Sequence, residues 1–190
     1  MEWLYTIDKA VFLFFNKTLA NPVFDLIMPV ITESDYWRIP IALFILALIV
    51  FGGAKGRITA LLLVLAVTFS DQISSFVIKP FVHRTRPCFV LEGVRLLIDQ
   101  PNSPSFPSSH AANMMSTSVV MFAQYRKKSL IYLVLAALVM YSRMYVGVHY
   151  PADIAGGIIT GGLCGCAVME GQKIVRSLMA AYRQKEKPVS

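Results

Sequence analysis

The chain has 190 residues, 56% of them hydrophobic and only 15% charged, with a mean hydropathy of +0.59. That apolar content exceeds that of an ordinary soluble domain and places the chain in a lipid bilayer. The net charge of +7 is carried in short Lys/Arg clusters between apolar runs and not along one face, a pattern of membrane topology that argues against a nucleic-acid partner.

The N-terminal stretch MEWLYTIDKAVFLFF has an acidic start, charges inside its apolar run and no small-residue cleavage site, so it does not have the form of a signal peptide and is expected to stay on the mature chain. Up to Thr32, apolar residues are interrupted by Asp8, Lys9, Asn16, Lys17, Asp25 and two prolines. This predicts two short helices within 1–35, broken near Asn21-Pro22, the first lying in the interface or spanning marginally. Four or five later runs approach the roughly 20 apolar residues that a span needs. They cover 37–53, entered by Trp37 and Arg38 as interfacial aromatic and snorkelling cation, then 58–78, 107–125, 129–148 and 152–175. No linker or repeat divides the chain, so the expectation is one all-α domain over 1–190, a polytopic membrane bundle of five to six transmembrane helices. Gly157, Gly161 and Gly165 form a small-xxx-small stripe suited to close helix packing. Cys88, Cys164 and Cys166 have neither disulfide-framework nor metal-site spacing and are expected to be small packing residues.

If the spans alternate, Lys55 and Arg57, then Arg126, Lys127 and Lys128, then Lys173, Arg176, Arg183, Lys185 and Lys187 all fall on one side, which should be the cytoplasm. The polar segment 79–106 then lies on the opposite, external side together with His149 and Asp153. Its cations, Lys79, Arg84, Arg86 and Arg95, run against the charge bias and need another reason to be there.

Three separated segments bring unusual polar residues to that external side. KPFVHRTRP supplies Lys79 and Arg86, PSSH supplies Ser108, Ser109 and His110 at a helix start, and SRMYVGVHYPAD supplies Arg143, His149 and Asp153. Lys79, Arg86 and Arg143 offer positive charge and forked donors suited to phosphoryl oxygens, and the free N–H groups after Ser108 add more. The ligand should therefore be a phosphate. Two histidines can divide the work, one attacking phosphorus and the other protonating the leaving oxygen. His149 is the better nucleophile candidate, because Asp153, four residues on and just inside a helix begun by Pro151, can reach back and fix its tautomer. That leaves His110 as general acid.

Each feature also has a plainer reading: Arg143 as a snorkelling cation, His110 as a helix cap, His149-Tyr150 as an interfacial anchor. Three segments in register outweigh these. Asp71 either hydrogen-bonds between helices or holds Lys79 or Arg143 from behind. His83 and Arg84, between the motif residues, are expected to be solvated loop residues.

Lys79-x6-Arg86-Pro87, Pro107-Ser108-Ser109-His110 and Ser142-Arg143-x5-His149-x3-Asp153 resemble the three-part signature of the type 2 phosphatidic acid phosphatase family of membrane lipid phosphatases, over roughly residues 37 to 170. Ser109 departs from the glycine usual at that position, and its Cβ limits how closely the backbone approaches phosphate. The resemblance implies a phosphohistidine on His149, Asp153 as its partner and His110 as acid. It assigns phosphate binding to Lys79, Arg86, Arg143 and the Ser108–Ser109 turn, and it implies no metal and no other cofactor. The sequence agrees that no carboxylate cluster stands at the site to hold magnesium.

The function expected is hydrolysis of a phosphate monoester or diphosphate of a membrane lipid, at the periplasmic or outer face of a bacterial inner membrane, with the C-terminus cytoplasmic. Undecaprenyl diphosphate leads the substrates, ahead of lipid A, phosphatidylglycerol phosphate and phosphatidic acid. The same chemistry would serve a phosphoryl transferase between lipids. A non-enzymatic lipid-phosphate transporter is disfavoured, since binding alone requires no His149–Asp153 pair beside a second histidine.

Overall fold

Pro22, Gly53 and Pro151 mark three places where the chain turns into a helix, each for a local reason. The structure, a computed structural model that describes residues 2–185, is helical, and no strand occurs among the described residues. Lys187 of the C-terminal basic cluster lies outside the described residues, as do the side chains of Lys127, Lys128 and Lys185. The first helix, α1 (Glu2–Leu13), runs on through a π-helical turn, Phe14–Thr18. Asn21 then accepts a hydrogen bond from the Phe24 N–H at 2.9 Å and Pro22 opens α2 (Pro22–Thr32). The two segments bend by 116° at this break, where Asn21-Pro22 predicts it.

Helix α3 (Ser34–Phe51) turns back into α4 (Gly53–Gln72) through Gly53, which has φ +59°. The hairpin is tight, since a Cβ on Gly56 would lie 2.3 Å from the Leu48 carbonyl oxygen. A π-helical segment, Ile73–Ile78, carries α4 into the short α5 (Lys79–Val82), which ends at His83 in the left-handed region. A four-residue helix, α6 (Pro87–Val90), and an irregular segment lead to α7 (Ser109–Tyr125), then α8 (Leu130–Tyr145) and α9 (Pro151–Lys185). Helix α9 runs well past residue 175, where the sequence pattern ends it. Three helical runs are long and apolar enough to cross a membrane: Ser34–Phe51, Gly53–Val90 and Pro151–Gln184. Together α1 and α2 qualify only as a bent pair. Helices α7 and α8, with 17 and 16 residues, are shorter.

Helix α7 lies at the centre, packed against α4, α8 and α9. On one side Val120 and Met121 meet Leu62, Leu63 and Ala66 of α4, and on another Ala111 meets Ala136, Met140 and Ile154. The α9 glycines let it approach: a Cβ on Gly161 would lie 2.1 Å from the Ala112 carbonyl oxygen, and one on Gly157 2.6 Å from that of Ser108. Cys164 packs in this core as expected, whereas Cys166 lies on the exposed face of α9. At one end of the bundle Lys55 stands 4.8 Å from the Tyr125 ring centre and Gln124 bonds Gln172 at 3.1 Å, so the basic turns gather there. The motif residues gather at the other end. One prediction tests the α7–α9 contact. Gly161→Ala should lower stability by about 1–3 kcal/mol, the scale of overpacking, whereas Gly162→Ala, which meets nothing within 4 Å, should not. Thermal unfolding in detergent reads both.

Candidate active site

The loop between α8 and α9 places His149 where both ring nitrogens are engaged. Asp153 Oδ2 lies 3.4 Å from Nδ1 and also accepts the Tyr150 N–H at 2.9 Å, as expected for a carboxylate one turn into a helix. On the other side of the ring, Arg86 Nη1 lies 3.1 Å from Nε2. A guanidinium can only donate, so Nε2 carries the lone pair and Nδ1 carries the proton. His149 and Asp153 are both buried. Burial first, then the charges of Arg143, Arg86 and Lys79, push the His149 imidazole well below its ordinary value of 6.5, so the ring is neutral at physiological pH.

The start of α7 meets this loop through the backbone. The Ser108 N–H donates to the Asp153 carbonyl at 3.0 Å, and Ser108 Oγ caps the Ala111 N–H at 3.4 Å. The Ser108 hydroxyl is therefore occupied as a cap. The first-turn N–H groups of Ser109 and His110 make no backbone hydrogen bond among the described residues and remain available to an anion. Ser109 Oγ lies 3.3 Å from Ser75 Oγ, so the side chain standing in place of glycine contacts the π-helical segment.

The cations differ in how they are held. Arg86 is fixed by the Ser103 carbonyl at 2.7 Å, the Val148 carbonyl at 3.1 Å and Ser103 Oγ at 3.0 Å. Arg143 is buried and donates Nη1 to Thr32 Oγ1 at 2.6 Å, while its Nε is enclosed with no partner among the described residues. Lys79 is buried beside Arg86, Asp71 and Arg143. Lys79, Arg143 and His149 also lie within electrostatic reach of His110. Asp71 accepts from Asn113 Nδ2 at 3.5 Å, so it bridges helices, and it also lies near enough to act on Lys79.

Two segment-79–106 arginines behave differently from the rest. Arg95 is bonded to Asp25 and Asn16 and clamps the N-terminal pair to the loop, away from His149. Arg84 is not the solvated loop residue that its position suggests. It donates Nη1 to Asp153 Oδ1 at 2.7 Å and Nη2 to Asp8 Oδ2 at 2.5 Å, with its guanidinium 4.1 Å from the Tyr150 ring centre. Asp8 and Thr32 had no motif to mark them. For Asp8 the available signal was a carboxylate within an apolar run, which needs a partner, and Thr32 had none.

The PAP2 superfamily model matches residues 59–175 of the chain. A lipid A 4'-phosphatase of Bacteroides thetaiotaomicron is 32% identical over 174 residues, covering 87% of this chain and 76% of that protein. The undecaprenyl-diphosphatase BcrC of Bacillus subtilis is 32% identical over 162 residues, covering 85% and 80%. Among solved structures, Aquifex aeolicus LpxE superposes with a TM-score of 0.72 at 26% identity, over 86% of this chain and 95% of that one. A PAP2 type phosphatidylglycerolphosphate phosphatase from Bacillus subtilis superposes with a TM-score of 0.73 at 25% identity, over 92% and 89%. With these relatives and an all-helical framework, the chain belongs to the PAP2 superfamily and is an integral membrane lipid phosphatase.

Proposed function

We propose that the chain is one membrane-embedded unit that hydrolyses the terminal phosphate of a membrane lipid through a phosphohistidine on His149. The observation that carries this reading is the His149 ring: neutral, held at Nδ1 by Asp153, with its Nε2 lone pair directed towards Arg86 in a pocket of cations. As the phosphoryl oxygens take over the Arg86 Nη1–H, the freed Nε2 lone pair attacks phosphorus and the bond from phosphorus to the leaving oxygen breaks. His110 gives that oxygen its proton. A water molecule then loses a proton to His110 and attacks the phosphohistidine, which releases inorganic phosphate and restores His149. Lys79, Arg86, Arg143 and the first-turn N–H groups of Ser109 and His110 hold the phosphoryl oxygens throughout, since the Ser108 N–H is bonded to the Asp153 carbonyl, and the charge that develops on those oxygens strengthens the bonds. Asp153 stabilises the imidazolium that forms as Nε2 is phosphorylated.

The substrate proposed is undecaprenyl diphosphate. A phosphate monoester brings about two negative charges and a diphosphate more, and three site cations, Lys79, Arg86 and Arg143, are left to meet them once Arg84 is paired with carboxylates. A lipid A phosphate is the second reading, favoured by the Bacteroides thetaiotaomicron relative. The reaction runs at the periplasmic face of the inner membrane, because the basic turns lie at the opposite end of the bundle and belong in the cytoplasm with the C-terminus.

Among the described residues no three His, Cys, Asp or Glu side chains converge as a metal site. Phosphate release from undecaprenyl diphosphate in detergent should accordingly be unchanged by strong chelation, with acid-labile phosphoenzyme absent from His149→Ala. Loss of activity in chelator restored by magnesium, or full phosphoenzyme in His149→Ala, would refute the mechanism. Faster release from lipid A would move the substrate assignment.

The pH dependence has a definite sign. Attack needs neutral His149, whose depressed value means that the neutral form persists as pH falls through 6.5. The acid limb of kcat/KM, which reports the free enzyme, should therefore fall below pH 6.5, and a limb at or above it would contradict the electrostatics described.

Orientation is read by labelling. With Cys88 replaced, a cysteine introduced at Asn102 should react with an impermeant thiol reagent in intact cells, whereas labelling only after lysis would put the chemistry in the cytoplasmic leaflet.

A further inference from the structure

We propose that Asp8 and Arg84 are positioning residues for the reaction, acting through Asp153 to set the orientation and the field of His149. The proposal rests on the phosphohistidine reading above. Its geometry is a chain of four groups. Asp8 Oδ1 accepts the Ala152 N–H at 2.8 Å, at the start of α9, and Asp8 Oδ2 accepts Arg84 Nη2 at 2.5 Å. Arg84 Nη1 donates to Asp153 Oδ1 at 2.7 Å, which leaves Oδ2 to face Tyr150 N–H and His149 Nδ1. Both carboxylates are buried, and Arg84 is mostly so. The arrangement is enclosed by Tyr150, whose ring stacks on Arg84 and packs against Phe12 at 5.5 Å and Tyr5 at 6.1 Å, both from α1.

The carboxyl group of Asp153 could otherwise rotate and present either oxygen to His149. A planar guanidinium that engages Oδ1, and is itself fixed by a second carboxylate, removes that freedom. Charge follows the same chain. Alone, Arg84 would cancel the negative charge that Asp153 offers to the imidazolium, but Asp8 offsets Arg84, so the three groups together keep one net negative charge beside His149. Asp8 comes from the N-terminal helix, outside the stretch 59–175 that the family model matches.

The signature expected is electrostatic. Facing His149 are Arg86 from the 83–86 loop, Lys79 from α5, His110 from α7, Arg143 from α8 and Asp153 from α9, with Asp8 of α1 acting behind Arg84 and Tyr150 and Tyr5 flanking the loop. Removing the Arg84 charge leaves Asp153 uncompensated, favours protonated His149 and moves the acid limb of kcat/KM to higher pH. Removing the Asp8 charge does the opposite. A packing role would move neither limb.

The experiment measures phosphoenzyme formation, kcat, KM and the pH profile for Arg84→Gln, Asp8→Asn and the double variant, with undecaprenyl diphosphate and, in parallel, an activated aryl phosphate. Folding is checked by thermal unfolding in detergent. Each single variant should lose about tenfold or more in kcat, the scale for removing an outer partner that orients a functional histidine, with KM little changed. The acid limbs should shift in opposite directions, and the double variant should be no worse than the worse single, as for residues acting as one unit. If Arg84→Gln does not fold, Arg84→Lys takes its place: it keeps the charge but cannot bridge both carboxylates, and it should be slowed with its acid limb unmoved. Folded variants with parental kcat, or acid limbs that move together, overturn the proposal. His149→Ala separates the two levels: phosphoenzyme in that variant refutes the reading on which this rests, whereas its loss beside parental Arg84 and Asp8 variants refutes only the relay.

Discussion

Asp153 is bonded at every polar atom that could hold the site together. Its Oδ2 accepts from Tyr150 N–H and faces His149 Nδ1, its Oδ1 accepts from Arg84, and its carbonyl accepts the N–H of Ser108. Through those contacts one buried residue joins the start of α9, the loop after α8, the start of α7 and, by way of Arg84 and Asp8, the N-terminal helix. A carboxylate with no solvent exposure is tolerable only when such partners surround it. Stripping one partner from a buried ion pair costs about 3–5 kcal/mol, so the site and the fold share this constraint.

The cations meet the same constraint in a different way. Arg86 finds backbone carbonyls and the His149 ring, whereas the enclosed Nε of Arg143 has no acceptor among the described residues. Lys79, Arg86 and Arg143 lie within electrostatic reach of one another, and like charges in a poorly solvated pocket raise its energy. On the mechanism proposed above, bound phosphate relieves that repulsion, and a transition state with more charge on its oxygens relieves it further. Strain of this kind in the free site is a source of differential binding. Thr32, at the end of α2, accepts from Arg143 Nη1 and fixes the direction of its fork.

The sequence made legible whatever is local or repeated along one helix. His149 and Asp153 lie four apart across a helix start, Ser108 is a cap, and Pro22 after Asn21 breaks the N-terminal run, so spacing alone locates them. The glycine stripe on α9 likewise announced a close neighbour. What spacing does not carry is the docking of the N-terminal pair. Asp8 and Arg84 are 76 residues apart, and Thr32 and Arg143 are 111 apart, so nothing along the chain marks them as partners. Arg84 is the instructive case. In a polar loop between two motif residues a cation is expected to face water, yet the buried carboxylates of Asp8 and Asp153 draw it inward. The ends of the spans were also less legible than their number of apolar residues suggested, since α4 passes without a break through a π-helical segment into α5 and α9 continues beyond its apolar stretch.

The assignment of His149 as nucleophile is tested most directly by the structure of the protein crystallised with orthovanadate, a mimic of phosphorus under attack. A vanadium atom bonded to His149 Nε2, with its oxygens on Lys79, Arg86, Arg143 and the N–H groups of Ser109 and His110, is the result predicted. Vanadate bonded to His110 instead, or held with His149 Nε2 still turned to Arg86, would contradict it.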